Sequence, residues 1–448
     1  MTQLSPLLDL ALNAARQHGA DHADVIITHG RSRSAMVRQG KAEGIKHAEA
    51  LSLGLRVFHG KRFASVSGND LSPNALNQLA ERACSMARLV PESPYDGLAD
   101  NPLSLIDETA IRSLDLLDPT EEPDISTLLS QASEMEAAAL SFKNITNSSG
   151  ASASAGYYDI ALATSAGFRG QYQRSQYGLG ISVLAGSEDH MERDYAVRSA
   201  CHQSDLPSPA SLGKDAAQRT LARLNSVRPK TGQYPVIFDR RIASSILGHL
   251  AAAINGTAIV RGTSFLKERM GQQLFPETIT ISDDPTRPRG LGSRPFDGEG
   301  CSTPSLDLIS HGILSHWLLD SRCARQLGLS PNGRATRSLK GSVHPGTSNL
   351  FLHPGSLSVT ELFHDIHDGI FITELMGNAV NMLTGDYSRG ASGFMIRNGQ
   401  IAEPLSGFTV AGNLRDMFAQ LRPANDLCFE QSINTPTFLI DHMTIAGQ

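Results

Sequence analysis

Short runs in which apolar and polar residues alternate, each ended by a glycine turn, commit much of this chain to antiparallel β-structure. Gln39-Gly40 and His59-Gly60 early in the chain, and His311-Gly312 and Asn398-Gly399 late in it, read as hairpin corners between such runs. After Arg261 helical spacing is rare and turn signals recur every ~8–12 residues. Val25 to Thr28, Ser34 to Arg38, Ala42 to His47 and Leu51 to Phe58 read as short strands, broken by Gly30, Gly40 and Gly60. Tyr158 to Thr164, Phe168 to Val183 and Met191 to Arg198 form a meander. The small-residue stretch 148–156 suits a strand with close neighbours better than a linker.

Helical spacing is confined to a few segments. Residues 3–18 carry a stripe of Leu and Ala. Ser72-Pro73 starts a helix that runs to about Arg88, with a capping hydroxyl and proline at the first helical position. Asp124 to Leu140 and Ser208 to Leu224 follow, and then 239–255. The 448 residues exceed one ordinary core. The expected fold class is α+β with two domains: residues 1–230, helices on an antiparallel sheet, and residues 231–448, mainly β. Between about 90 and 123, five prolines and scattered acids predict an extended connector or lid. No internal repeat is present.

The formal net charge of −6, with no run of Lys or Arg, argues against a dedicated nucleic-acid binder. No stretch of about 18 apolar residues predicts a membrane span. The N-terminal segment reads as an amphipathic helix, not a signal peptide. Five scattered cysteines, never in a CxxC pair, fit a reducing cytoplasm.

The helix at 239–255 stands out for what it lacks. A zinc-protease helix needs two imidazoles on one face and a Glu to activate water. Here His249 stands alone, with Leu250 and Ala253 after it and no carboxylate within a turn. Further on, TELMGNAVNMLTGDYSRGASGF packs four glycines around Glu374, Asp386, Tyr387, Ser388 and Arg389. That composition suits either a loop contacting a peptide or partner, or a bulged edge strand with an Asp–Arg ion pair. FDGEGCST, with Asp297 and Glu299, reads as a tight turn with capping acids. Cys301, His311, His316 and Cys323 are spaced too loosely for a structural zinc site. His364 and His367 fit the end of a helix. No nucleophile elbow, Walker loop or dinucleotide fingerprint occurs.

Several of these segments together resemble the TldD/PmbA family, and specifically its PmbA (TldE) branch. They include GADHADV, LGLRVFHGKR, the 239–255 helix with RGTSFL, FDGEGCST, HGILSHWLLDSRCARQLGL, TELMG, TGDYSRGASGF and VAGNLRDMF. The resemblance spans essentially the whole chain. It implies a zinc metallopeptidase system in which a TldD-type subunit carries a His-Glu-x-x-x-His helix and a PmbA-type subunit lacks it. Anchored on RGTS, the three ligand-helix positions fall at Leu247, Gly248 and Ala252, so no catalytic or metal residue carries over. The resemblance implies no cofactor in this chain and zinc in the partner subunit. It implies a TldD-type catalytic paralogue as heterodimer partner, or a homodimer, acting on a peptide substrate. For Glu374, Asp386, Tyr387, Ser388 and Arg389 it implies contact with peptide or partner. Two other classes stay open at this point. One is a stand-alone peptide-binding or chaperone-like homodimer. The other is a hydrolase using a Cys301/His316 metal site. Older labels in the family name a modulator of DNA gyrase, which the acidic balance does not favour as nucleic-acid contact.

Overall fold

Three corners expected from glycine pairs are tight turns with both central residues at positive φ: Gln39-Gly40 (51° and 71°), His311-Gly312 (48° and 77°) and Asn398-Gly399 (47° and 76°). The computed structural model describes residues 4–103, 107–187, 191–338 and 342–448. Its first half contains helices α1 (Ser5–Gln17), α2 (Pro73–Leu89), α3 (Glu108–Ser113), α4 (Ile125–Leu140) and α5 (Pro209–Ala222). Its strands are β1 (His22–Arg38), β2 (Lys41–His59), β3 (Arg62–Gly68), β4 (Ile145–Thr164), β5 (Arg169–Ala185) and β6 (Glu192–Ala200). These six form one antiparallel sheet in the order β3-β2-β1-β4-β5-β6. Residues 148–156 lie within β4, as their composition predicts.

Gly30 does not end a strand. β1 runs unbroken through it, and Gly30 lies opposite Tyr158 on β4. A Cβ at Gly30 would stand 3.1 Å from the Tyr158 ring, so the glycine makes room for an aromatic neighbour rather than a turn. The four short strands expected between 25 and 58 are therefore two long ones.

Both helix pairs cover the same face of this sheet. Val25, Ile27, Ala35 and Val37 share one parity along β1 and so point the same way. Leu8 and Leu12 of α1 and Leu76 and Ala80 of α2 pack on Val25, Ile27, Leu53 and Leu55. At the far end Leu128 and Met135 of α4 and Leu212 and Ala216 of α5 pack on Val37, Ala151, Leu179 and Ile181. The two helices touch at Gly213, where a Cβ would lie 2.1 Å from the Met135 carbonyl oxygen.

The second half contains β7 (Gly232–Phe238), α6 (Arg240–Ala253), α7 (Gly256–Val260), β8 (Ile281–Asp283), β9 (Leu306–Ser310), β10 (Ile313–Leu314) and α8 (Ser321–Leu327). There follow β11 (Ala335–Arg337), β12 (Val343–Pro345), β13 (Leu350–Leu352), α9 (Val359–His364), β14 (Asp368–Val380), β15 (Asp386–Arg397) and β16 (Gln400–Asn413). The chain ends with α10 (Leu414–Ala419), β17 (Arg422–Pro423), β18 (Ile433–Asn434) and β19 (Phe438–Ala446). Strands β16-β15-β14-β7-β19 close into a barrel because β16 also pairs with β19. A smaller sheet runs β10-β9-β8-β13-β18. Helix α6 shares one core with both: Ile246 and Leu250 cluster with Ile372 of β14 and Leu350 of β13. The fold is α+β.

The open face of the first sheet meets the second half through buried charge. The Arg56 Nε and Nη2 donate to Asp24 Oδ2 at 2.9 and 2.6 Å, and Arg337 Nη1 lies 2.5 Å from Asp24 Oδ1. Arg56 also reaches Glu299 at 3.3 Å. Burial alone would raise the Asp24 carboxyl, but the Arg337 and Arg56 guanidiniums outweigh it and hold it below its ordinary value. Beside this cluster Phe168 packs edge-on to Phe296, ring centroids 5.2 Å apart.

The 90–123 segment is pinned to the body of the protein at several points along its described residues. Leu114 and Leu116 are buried with Cys201, and Arg325 donates to the Tyr95 carbonyl at 3.0 Å. Leucines between the prolines supply the apolar contacts that anchor it; residues 104–106 lie outside the described residues.

Replacing Asp24 with Ala strands two guanidiniums in the interface. The variant is expected to lose about 3–5 kcal/mol in urea unfolding. Gly213→Ala forces α5 off α4 and is expected to cost about 1–3 kcal/mol in the same measurement.

Candidate functional site

Helix α6 begins where the Asp239 side chain accepts the Arg241 amide at 2.8 Å. Its first turn is tied to the first half. Arg241 Nη1 pairs with Asp194 at 3.1 Å, and Arg240 reaches Glu430 at 3.3 Å, which Arg198 also meets at 3.0 Å. These contacts set the helix across the mouth of a cleft.

Ile246, Leu247 and Leu250 turn into the core, while Ile242 is buried at the border between core and cleft. Ser244, Ser245 and Gly248 instead line an open cleft of about 390 Å³, together with Leu375, Arg389 and Ile433. A Cβ at Gly248 would meet nothing within 4 Å. Ala252 borders a second cleft of about 810 Å³, lined also by Thr263, Val380, Met382 and Tyr387.

Between the two clefts lies His249. Its ring stands edge-on to Tyr387, centroids 6.0 Å apart at 69°, and its buried Nε2 meets no hydrogen-bond partner among the described residues. Burial, and then the charge of Arg389, push the imidazole down to about 4, so it is neutral at pH 7. Tyr387 is 1% exposed. Its hydroxyl sits beside the Arg389 guanidinium without completing a hydrogen bond of normal geometry. Burial keeps that phenol protonated by raising its pKa.

Arg389 is placed by a bulge. Met376 pairs with Gly390 and Ala379 with Ser388, so β14 has one residue more than β15 across this interval. Gly377 takes φ +70°, and its carbonyl accepts Arg389 Nε at 2.8 Å. Among the described residues no carboxylate pairs with Arg389.

Of the five residues singled out in the TELMG–TGDYSRG segment, Tyr387 and Arg389 share the strand face toward α6 and meet His249. Asp386 and Ser388 line the second cleft beside Tyr387, and only Glu374 is engaged elsewhere. Glu374 pairs with Arg223 at 2.5 Å and Arg193 at 3.7 Å, in the junction with the first half. Asp386 accepts from Thr384 Oγ1 at 2.6 Å and Asn413 Nδ2 at 3.0 Å. Ser388 is exposed. The segment is bulged, but β15 lies between β14 and β16 rather than at an edge, and Asp386 does not pair with Arg389. Spacing singled out His249 in the sequence; nothing in it placed the imidazole against a tyrosine 138 positions on.

The other sequence candidates resolve simply. Asp297 Oδ1 accepts the amides of Glu299 and Cys301, both at 2.9 Å, which is the tight turn. Desolvation and then Glu299 raise Asp297 to about 7. Cys323 contacts Thr257 Oγ1 at 3.7 Å and His316 Nδ1 lies 3.1 Å from the Asp307 carbonyl, so they serve separate places. His364 and His367 are exposed beside Asp365 and Asp368, with α9 ending at His364.

A catalytic zinc requires three protein ligands. Leu247, Gly248 and Ala252 offer no donor atom, and His249 offers one. Among the described residues no three His, Cys, Asp or Glu side chains gather where an ion would be held. The helix does not fit the ion, and the residues assembled here are hydrogen-bonding groups instead: a neutral imidazole, a phenol and a guanidinium.

The histidine links site to stability. Its folded pKa of about 4 lies below the ordinary value of 6.5. Its contribution is therefore complete above about pH 6.5 and lost as pH falls toward 4. In an NMR titration the His249 ring should remain neutral at pH 6 and titrate near 4; a midpoint near 6.5 contradicts the burial described. His249→Phe should flatten the acid limb of the stability curve.

Three family models match in series: the PmbA/TldA metallopeptidase domain 1 over residues 23–87, its central domain over 118–224 and its C-terminal domain over 231–447. The first two regions share the six-stranded sheet. Metalloprotease PmbA of Escherichia coli O157:H7 is 37% identical over 431 residues, covering 96% of this chain and 93% of that protein. The Metalloprotease PmbA homolog of Haemophilus influenzae is 33% identical, covering 99% and 96%. Among solved structures, a candidate modulator of DNA gyrase from Bacteroides thetaiotaomicron superposes with a TM-score of 0.90 at 24% identity over all of both chains. TldE of Thermococcus kodakarensis does so with a TM-score of 0.86 at 18% identity, covering 98% and 100%. The helix, the bulged strand and the sheet beneath them are thus built on a shared plan: this chain belongs to the PmbA/TldD metallopeptidase family.

Proposed function

We propose that this chain is the subunit of a two-subunit zinc peptidase that shapes the cleft and holds peptide, while a TldD-type paralogue supplies the zinc and the hydrolytic centre. The observation that carries this reading is helix α6. Its three ligand-helix positions are Leu247, buried in the core, Gly248, bare backbone facing a cleft, and Ala252, bordering another. A helix with little side-chain bulk on its cleft side leaves room for an extended chain beside β14 past Ile372, where its pairing with β7 ends. Main-chain hydrogen bonding to a strand is sequence-tolerant, which suits a protein handling varied peptides. Membership of a metallopeptidase family supports proteolysis as the process, and the PmbA relatives carry the name metalloprotease. The cytoplasm is the compartment we favour, because all five cysteines are free and four of them are buried.

The test is reconstitution. The chain, its TldD-type paralogue and their mixture are assayed on an unstructured peptide, with zinc measured in each. Hydrolysis is expected only from the mixture, as is a stable complex, with zinc following the paralogue. Full activity of the paralogue alone, or zinc-dependent hydrolysis by this chain alone, refutes the proposal. Peptide binding by a self-paired chain that ignores the paralogue would favour a chaperone-like homodimer instead.

A further inference from the structure

Three hydrogen-bonding groups with unused capacity meet at one place between α6 and β15. Among the described residues His249 Nε2 is buried with no hydrogen-bond partner, and the buried Tyr387 hydroxyl has only the Arg389 guanidinium beside it. Leaving a buried polar atom unsatisfied is costly, and native proteins keep few such atoms without a use. Arg389 stands next to both: its Nε donates to the Gly377 carbonyl and its guanidinium lies against the Tyr387 hydroxyl, which still leaves donor N–H groups on the outer nitrogens. It also faces an open cleft. The nearby cation Arg241 differs, being neutralised by Asp194 and Asp239.

The three groups share one chemistry. A guanidinium donates only, a phenol beside a cation donates, and a neutral imidazole donates from one nitrogen. Their common complement is an anion with two adjacent acceptor oxygens, which a guanidinium binds bidentately. Leu375, Ile242 and Ile433 beside Arg389 give the same cleft apolar walls. The bulge at Gly377 holds Arg389 from behind and so limits the entropy lost on binding.

From this geometry we infer that Tyr387, Arg389 and His249 form a carboxylate-binding subsite, which anchors a peptide through a free carboxyl group. The carboxyl belongs either to the peptide's C-terminus or to an Asp or Glu side chain. The inference deepens the peptide-holding role proposed above and assigns it a chemical preference. It needs no metal and no bond-making step in this chain.

Calorimetry on the full-length chain tests it with three hexapeptides of Ala, Ser and Leu. One has a free C-terminal carboxylate, one is its amide, and one is an amide carrying a central Glu. Binding by the first alone identifies the chain end; binding by the third as well identifies any exposed carboxylate. Both outcomes support the subsite. In either case Arg389→Gln should weaken binding about 10- to 100-fold, the loss of a charge-assisted hydrogen bond, and Tyr387→Phe about 2- to 10-fold. Arg389→Lys, which keeps the charge but not the fork, should recover part of the loss. Circular dichroism and thermal melts confirm that each variant is folded. Equal affinity for acid and amide, no binding of any peptide, or affinity unchanged by Arg389→Gln in a folded protein overturns the inference. The readout is binding by this chain alone, so it stands or falls separately from whether the reconstituted pair cleaves peptides.

Discussion

Asp24, buried between a guanidinium from its own sheet and one from the other half of the molecule, governs how the two halves meet. Arg56 comes from β2 and Arg337 from β11, and neither carries an exposed side chain. Such a cluster adds little net stability, since each charge gives up its hydration on burial. What it supplies is selectivity among dockings. An arrangement that buried Arg337 away from Asp24, or Glu299 away from Arg56, would leave a charge without its ion-pair partner in a low-dielectric interface. The apolar contact between Phe168 and Phe296 can tolerate sliding; the charge cluster cannot.

A second set of ion pairs carries that alignment to the functional region. Asp194 on β6 meets both Arg223 at the end of α5 and Arg241 at the start of α6. Arg223 also binds Glu374 on β14. The helix and the strand that bound the clefts are thus both referenced to the first half. This explains why Glu374, so prominent beside the TGDYSRG segment in sequence, is spent on holding the site rather than lining it. The alternation along β15 then sorts the remaining residues. Tyr387 and Arg389 turn toward α6, whereas Asp386 is bonded to Thr384 and Asn413 on the other side.

Local rules made much of the architecture legible. Helices with a capping Ser or Asp start where the sequence says, at Ser72, Asp124 and Ser208, and the two Ser-capped ones have Pro at the first turn. The glycine-paired hairpins do so too, because positive φ at two successive residues is a local demand. Gly30 misleads for a physical reason. A glycine needed for turning and a glycine needed to admit a neighbour's ring look alike until Tyr158 is placed across from it. The 90–123 segment misleads likewise, since its prolines are visible but the partners of Leu114 and Leu116 are not.

The amino-acid order alone determined that α6 has carbon or hydrogen side groups at positions 247, 248 and 252, and one imidazole at 249. Those are matters of chemical identity, and no folding can supply a missing donor atom. Only the tertiary structure decided what that imidazole faces. The closing of the barrel brings β15 beside α6, and the bulge at Gly377 aims Arg389 at the same spot. A strand more than a hundred residues away thereby becomes the wall of a cleft that the helix begins. Long-range pairing of this kind depends on register and packing across the whole barrel, and no short window of sequence contains it.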